Sequence, residues 1–125
     1  MMDANTTLLR QVPPSFLDGE APTSQAFVPF PKDKNMLSVY DGDQCNAEGA
    51  YVHYTTVLKL SSAGVWGVTV AEVTNTGLAS RPDPVGGNAA HALVDFSGLS
   101  PKEQRRRAKL LLAFADARGC LHKAA

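Results

Sequence analysis

The alternation of apolar and polar positions along the chain predicts its strands. Four segments have the alternation or the β-branched composition of strands: Ala26–Phe30, Met36–Tyr40, Val65–Val73 and Ala90–Phe96. Pro29 has no amide hydrogen to donate to a neighbouring strand, so the first segment is expected at a sheet edge. Val65–Val73 is apolar at odd and even positions alike, which predicts a central strand covered on both faces.

Between Ala47 and Leu60 the apolar residues recur at intervals of three and four instead of two. The residues that follow this spacing are Ala47, Ala50, Tyr51, Tyr54, Val57 and Leu58. The spacing places them on one face of a helix. Asn46 is suited to cap the start of this helix, and Gly64 is suited to end it.

A second predicted helix is marked at both ends. Ser100, Pro101 and Glu103 fit the N-cap, first and third positions of a capping box, in which the serine accepts from the third amide and the glutamate reaches back. The helix is expected to run to about Arg118, where Gly119 follows as the stop signal. Its predicted buried side consists of Ala108, Leu111, Leu112, Phe114 and Ala115.

The order of these elements predicts an α+β fold, with a small antiparallel or mixed sheet of about four strands and two main helices packed on one face. Residues 1–25 combine prolines with polar residues and are expected to form an extended arm, partly mobile or docked. The apolar Leu8 and Leu9 within that arm suit a contact with the domain or with a partner. Residues 26–125 then form a single α+β domain.

The basic residues near the C-terminus raise the question of a nucleic-acid interface. Lys102, Arg105, Arg106 and Lys109 lie three or four residues apart and would form a basic stripe opposite the leucines of the second helix. The whole chain, however, has 12 basic and 12 acidic residues and a formal net charge of zero. No aromatic side chain for base stacking lies among the charges. These features favour a solvated surface, or a contact with an acidic protein patch, over nucleic acid.

The cysteines and the apolar runs predict a cellular location. Cys45 and Cys120 lack the C-x-x-C spacing of a zinc or redox site and are expected to be free thiols. The N-terminal residues lack the basic and apolar regions of a secretory signal. No segment approaches the ~20 apolar residues that a membrane span needs. We therefore expect a cytoplasmic protein that makes no membrane contact.

Few residues are candidates for chemistry. His53, His91 and Asp95 could act as acids or bases, although His91 and Asp95 lie about 13 Å apart along one predicted strand, at ~3.3 Å per residue, and cannot bond directly. Arg81 and Asp83 lie in a loop rich in proline and glycine and are candidates for ligand binding. Isolated histidines are more often structural, so no catalytic residue is assigned, and neither a metal nor a cofactor is expected.

Several segments of the chain resemble a group of small bacterial proteins to which no activity is attached. The segments are "RQVPPSFLDG", "SQAFVPFPKD", "LSVYDG", "GVWGVTV" and "HALVDFSGLS", and together they cover most of the chain. The resemblance implies a bacterial, intracellular protein of one domain. It transfers no catalytic residue to this sequence.

Two functions fit these residues. The first is a non-enzymatic protein-interaction or regulatory module, because no complete catalytic constellation is present and the arm suits docking to a protein partner or to a second copy. The second is a small enzyme acting on a nucleotide or another phosphorylated metabolite, with His53, His91, Arg81 and an aspartate in one cleft. The second function requires both histidines on the same face of the sheet.

Overall fold

The computed structural model describes residues 2–30 and 33–124. Residues 1 and 125, the outer limits of the predicted arm and domain, lie outside them. The strands are β1 (Thr7–Val12), β2 (Leu17–Asp18), β3 (Ala21–Pro22), β4 (Met36–Asp41), β5 (Gly64–Thr69), β6 (Ala79–Pro82), β7 (His91–Asp95) and β8 (His122–Lys123). The helices are α1 (Ala47–Val52), which continues as a π-helical turn over His53–Val57, α2 (Val70–Asn75) and α3 (Pro101–Arg118).

The predicted α+β class is confirmed, but the predicted number of about four strands is wrong. The described residues form a six-stranded antiparallel sheet in the order β6-β7-β4-β1-β5-β8, and β2 pairs with β3 in a separate hairpin. The strand β1 lies inside the sheet, between β4 and β5. Residues 7–12 therefore belong to the domain rather than to an arm. The prolines that suggested an arm begin at Pro13, directly after this strand ends.

Two predicted strands are replaced or shortened by helical structure. Ser24–Phe27, which overlaps the segment predicted at a sheet edge, forms a short 3-10 helix. The strand predicted over Val65–Val73 ends at Thr69, where α2 begins. A reciprocal capping box causes this change, because Thr69 N donates to Glu72 Oε1 at 2.8 Å and Glu72 N donates to Thr69 Oγ1 at 3.1 Å.

The two longer helices lie on opposite faces of the sheet, so their predicted placement on one face is wrong. Successive residues of a strand point to opposite faces, and the sheet is apolar on both. On one face Leu8 and Val39 pack in a core that includes Leu111 of α3. On the other face Leu9, Tyr40 and Val65 pack against residues of α1 and its π-helical turn.

The helix predicted from Ser100 to Arg118 is confirmed. Ser100 Oγ accepts from Glu103 N at 3.2 Å, whereas the Glu103 carboxylate turns to Arg106 and Arg107, at 3.1 and 3.4 Å, instead of reaching back to the cap. The buried side is narrower than predicted, since Phe114 is 36% exposed. Its fully buried residues are Ala108, Leu111 and Ala115.

An ion pair joins the start of α2 to the end of α3 and should make stability depend on pH. Arg118 donates to both carboxylate oxygens of Glu72, at 2.9 and 2.8 Å. Burial raises the pKa of Glu72, but the hydrogen bonds from Arg118 and Thr69 outweigh it and hold the pKa below the ordinary 4.5. A lowered carboxyl pKa stabilises the fold above the unfolded-state pKa, and this stability is lost as the pH falls through the folded-state value.

We expect Glu72→Gln to lower the free energy of unfolding by about 1–2 kcal/mol at pH 7, and the difference from wild type to shrink as the pH falls below the ordinary pKa of 4.5 and through the lowered pKa of Glu72. Urea unfolding at several pH values measures this difference in the free energy of unfolding. Glu20→Gln is the matched control, because Glu20 is 90% exposed in its pair with Lys123 and an exposed pair contributes little. Equal losses in the two variants at pH 7 would contradict the stabilising role of the Glu72 pair.

Candidate functional site

Two small cavities, each of about 230 Å³, lie beside α1 and its π-helical turn and share Tyr40 and Asn88 in their walls. We call the first the Arg10 cavity. It is lined by Arg10, Gln11, Phe30, Asp33, Ser38, Val39, Tyr40, Tyr54, Leu58, Leu60, Asn88 and His91. We call the second the His53 cavity. It is lined by Tyr40, Gln44, Cys45, Gly49, His53 and residues 87–90.

The Arg10 cavity lies where β1 and β4 part. The two strands pair at Leu8 with Asp41 and at Leu9 with Tyr40, and their register extends no further. Beyond that point the Arg10 side chain bridges the strands, since Nη1 donates to Ser38 O of β4 at 2.9 Å. Its Nε donates to Ala26 O in the neighbouring 3-10 helix at 2.7 Å. Local backbone carbonyls thus fix the guanidinium in the cavity wall.

Arg10 is a buried cation whose guanidinium forms no ion pair within the described residues. The residue is 8% exposed. Burial lowers the pKa of Arg10 to about 10, and Tyr54 and Asp33 oppose that shift through longer-range electrostatics. Among the described residues no carboxylate forms an ion pair with the guanidinium, and Nη2 has no hydrogen-bond partner. Burying a charge without its counter-charge is costly, so the wall of this cavity is suited to an anion.

Gln11 also lines this cavity, but its amide is buried. The residue is 3% exposed, and neither the side-chain nitrogen Nε2 nor the oxygen Oε1 has a partner in the described part of the chain. Buried amides in folded proteins are nearly always hydrogen-bonded. Both amide atoms are closed off from solvent, so the unpaired amide lies buried behind the cavity wall and the cavity itself offers the Arg10 cation.

Both predicted histidines lie around Tyr40, on one face of the sheet. The Tyr40 hydroxyl lies 2.7 Å from His53 Nδ1, and Tyr40 stands directly opposite His91 in the pairing of β4 with β7. Burial raises the pKa of Tyr40 to about 12, so the phenol keeps its proton and can donate it in the bond to Nδ1. His53 itself begins the π-helical turn, a feature found frequently at functional sites.

His91 is oriented by Asp83. Its Nδ1 lies 2.9 Å from the Asp83 carbonyl oxygen and 3.1 Å from the carboxylate Oδ2. A proton on Nδ1 satisfies both oxygens and leaves the other ring nitrogen, Nε2, as an acceptor. Asp83, which the sequence predicted to bind a ligand, thus orients His91, a residue of the cavity wall.

The structure does not bring the remaining predicted residues into either cavity. Arg81 lies on β6 at the sheet edge and pairs with Asp95 at 3.4 Å. Hydrogen bonds from Ser97 and the nearby Arg81 lower the pKa of Asp95. The residues of the basic stripe are exposed on α3, which packs on the other face of the sheet: Lys102, Arg105, Arg106 and Lys109.

Sequence reasoning missed Arg10 and Gln11, because both fall within the predicted arm. One signal in the sequence could have found them. The run "TLLRQV" is a β-branched and apolar strand pattern interrupted by two polar residues. Polar residues inside a buried strand need partners, and at such positions they often serve function.

The two thiols should differ in reactivity. Cys45 lines the His53 cavity, where burial and the nearby Asp41 raise the pKa of its thiol, whereas Cys120 is exposed. Because the thiolate is the reactive form, iodoacetamide at pH 7.5 should alkylate Cys120 at least ~10-fold faster than Cys45. Peptide mass spectrometry at timed quenches measures both rates. In about 8 M urea, where the chain should be fully unfolded, the two rates should converge. Labelling of Cys45 that is faster than that of Cys120 in the folded protein would contradict the burial of the Cys45 thiol.

Comparison of the chain with protein families, with curated proteins and with solved structures found no match. Within residues 2–30 and 33–124, no group of three or more His, Cys, Asp or Glu side chains is placed to hold a metal ion. No helix in the same residues combines the length and the apolar character needed to cross a membrane. The function is therefore inferred from the chemistry of the two cavities.

Proposed function

We propose that this protein binds a small anionic metabolite in the Arg10 cavity. The observation that carries the proposal is the Arg10 guanidinium, which is buried, fixed by two backbone carbonyls and without an ion-pair partner in the described residues. A bound anion would complete this arrangement with a charge-assisted hydrogen bond from Nη2, which has no partner in the described residues.

The size of the cavity limits the ligand. A volume of about 230 Å³ corresponds to about eight waters at ~30 Å³ each, so a ligand with roughly that number of non-hydrogen atoms fits. A whole nucleotide is larger. Part of the lining is apolar or aromatic, with Phe30, Tyr54, Leu58 and Leu60, which suits the carbon skeleton of a small metabolite.

The polar groups around Tyr40 make proton transfer a natural extension of binding. Tyr40 and His91 line the Arg10 cavity, and His53 bonds to the Tyr40 hydroxyl. A neutral imidazole nitrogen and a protonated phenol are suitable as base and acid. The enzyme hypothesis therefore keeps its histidines, while Arg10 replaces Arg81 as the anion-binding residue.

The proposal is tested by measuring thermal unfolding with a panel of acetate, benzoate, phosphate and sulfate, each against sodium chloride at equal ionic strength. A ligand at 100 times its Kd stabilises the folded state by about 2.7 kcal/mol, which raises Tm by several degrees in a domain of this size. We expect a saturable rise with at least one of the anions. If no anion exceeds the chloride control at concentrations up to ~10 mM, where even a weak Kd near 1 mM would show, the proposal fails.

A protein-interaction module is the second candidate function. A neighbouring groove of about 510 Å³, which shares Phe30 with the Arg10 cavity, is also lined by Phe16, Val28, Pro29 and residues at the start of α3. Phe16 lies in the segment expected to dock to a partner, and Phe30 is among the exposed large apolar residues. The occupant proposed is a second copy of this chain. Size exclusion with light scattering should then show concentration-dependent dimers that Phe30→Ser abolishes, and a monomer at every concentration would remove this candidate.

A further inference from the structure

We infer that the His53 cavity binds a small uncharged molecule through a carbonyl group, which accepts hydrogen bonds from His53 and Asn88. This site is separate from the anion site at Arg10 and goes beyond the proposed function, so either can fail without the other. Three features of the cavity lead to this class of ligand: the tautomer of His53, two donors without partners and the charge around the wall.

The tautomer of His53 follows from its bond with Tyr40. The Tyr40 hydroxyl lies 2.7 Å from His53 Nδ1 and has no other partner in the described residues. Tyr40 is 6% exposed and keeps its proton, because burial raises its pKa to about 12. A buried hydroxyl whose proton has no acceptor is costly, so the phenol donates to Nδ1. The proton of the neutral imidazole is then on Nε2, which makes this nitrogen a donor.

Two donors in the cavity wall lack partners. His53 Nε2 has none within the described residues. Asn88 already uses its side-chain oxygen, since Oδ1 accepts from Ala90 N at 3.1 Å, whereas its Nδ2 is without a partner in the same part of the chain. Unlike the Gln11 amide, neither nitrogen is closed off from solvent. Both can therefore reach a ligand, and the group that suits them is an acceptor.

Both donors are held in place by the protein. The His53 ring stands edge-on to Tyr40, with ring centroids 5.6 Å apart and an interplanar angle of 76°. Asn88 lies at a turn, where its backbone exchanges hydrogen bonds with Val85 at 2.9 and 3.1 Å. Donors that are fixed in advance lose less conformational entropy when a ligand binds.

The charge around the cavity favours an uncharged ligand. None of the described residues that line it is Asp, Glu, Lys or Arg. Asp41 lies close enough to Cys45 to help raise the pKa of that thiol, so an anion in the cavity would be repelled. A cation would meet N–H donors instead of acceptors. The carbonyl group of an amide or ketone accepts two hydrogen bonds without carrying a charge.

The volume of the cavity sets the size of the ligand. About 230 Å³ corresponds to about eight waters at ~30 Å³ each, so a small amide or ketone with roughly that number of non-hydrogen atoms fits. The cyclic amide δ-valerolactam serves as the probe. Valerate, which has the same carbon chain but carries a carboxylate, and tetrahydropyran, a ring of similar size without a carbonyl, are the comparison compounds.

The test is an NMR titration of the nitrogen-15-labelled full-length protein, because the amide signals locate the bound probe. Valerolactam should shift the signals of Gly49 and Ala89, which line this cavity and not the Arg10 cavity, with a Kd below ~10 mM. Valerate and tetrahydropyran should bind there at least ~10-fold more weakly, the value of about one good hydrogen bond. Equal affinities of the three compounds at these signals, or no saturable shift with valerolactam, would overturn the inference.

Asn88→Asp tests the donors. Aspartate keeps an oxygen that can accept from Ala90 N and replaces the Nδ2 donor with a charged oxygen, so valerolactam should bind at least ~10-fold more weakly. Asn35→Asp is the matched control, because Asn35 also accepts through Oδ1, from Gln104 Nε2 at 3.0 Å, but lines the groove beside α3. Its affinity for valerolactam should equal that of wild type. An unchanged affinity in Asn88→Asp would contradict the role of Asn88.

The ring nitrogen signals of wild type test the tautomer of His53 without a ligand or a variant. At about pH 8, above the ordinary histidine pKa of ~6.5, His53 should carry its proton on Nε2. His91 should carry its proton on Nδ1, because that nitrogen faces two oxygens of Asp83, and it provides the contrast within the same spectrum. A proton on Nδ1 of His53 would remove the donor and overturn the inference, even if Asn88→Asp does not fold.

Discussion

Arg10→Gln is expected to weaken the binding of benzoate about 100-fold, because it removes the buried cation that the carboxylate would pair with. Glutamine keeps a side-chain N–H that can still reach one of the two carbonyls that Arg10 satisfies, those of Ala26 and Ser38. It also relieves the burial of a charge whose pKa is already lowered to about 10. The fold should therefore survive, and calorimetric titration measures the loss of affinity.

Arg81→Gln is the matched control for this variant. Arg81 is also an arginine on the sheet, but it is exposed at the edge and paired with Asp95, so the affinity for benzoate should change less than ~2-fold. Near-ultraviolet circular dichroism of the buried Trp66 checks the fold. If Arg10→Gln does not fold, Arg10→Lys is tested instead. This variant keeps the charge but should still bind benzoate about 10-fold less tightly than wild type, because lysine lacks the planar N–H fork of arginine. Equal affinities of wild type and a folded Arg10 variant would contradict the role of Arg10.

Leu111→Ala is expected to lower the free energy of unfolding by about 2–5 kcal/mol. Leu111 is 0% exposed and packs from α3 into the core on one face of the sheet. The truncation leaves a cavity between the helix and the strands, and the surrounding residues can collapse into it only in part. Urea unfolding followed by circular dichroism measures the loss.

The neighbouring leucine provides the control for that variant. Leu110 is 41% exposed on the same helix, and alanine has the higher helix propensity, so Leu110→Ala should change stability by less than about 1 kcal/mol. The difference between the stability losses at these two adjacent leucines separates the contribution of packing from any change in helix propensity. Similar losses in both variants would show that α3 does not pack as described.

Local signals predicted the elements whose ends are marked by side chains. Ser100 and Gly119 bracket α3 as expected, because a cap and a glycine with φ of +89° act within a few residues. The strand from Met36 was likewise predicted from its alternation and a following turn. By contrast, α2 was missed, since the β-branched residues after Thr69 favoured a strand and the capping box at Glu72 overrode that preference.

The candidate site was predicted only in part, because a site depends on which strands become neighbours. His53 and His91 were named from their residue type, and the pairing of β4 with β7 brings both to Tyr40. Nothing local connects either histidine to Arg10, which reaches the same cleft because β1 pairs with β4. The helices occupy opposite faces for the same reason, since strand alternation alone shows that both faces are apolar but not which helix covers each.

The most direct test of the central claim is a crystal structure of the protein grown with saturating benzoate. Anion binding in the Arg10 cavity predicts a carboxylate oxygen about 2.8 Å from Arg10 Nη2, with the ring among the aromatic side chains of that cavity. Arg10 paired instead with a carboxylate of its own chain, or benzoate bound at another place while the Arg10 cavity holds no anion, would contradict the claim.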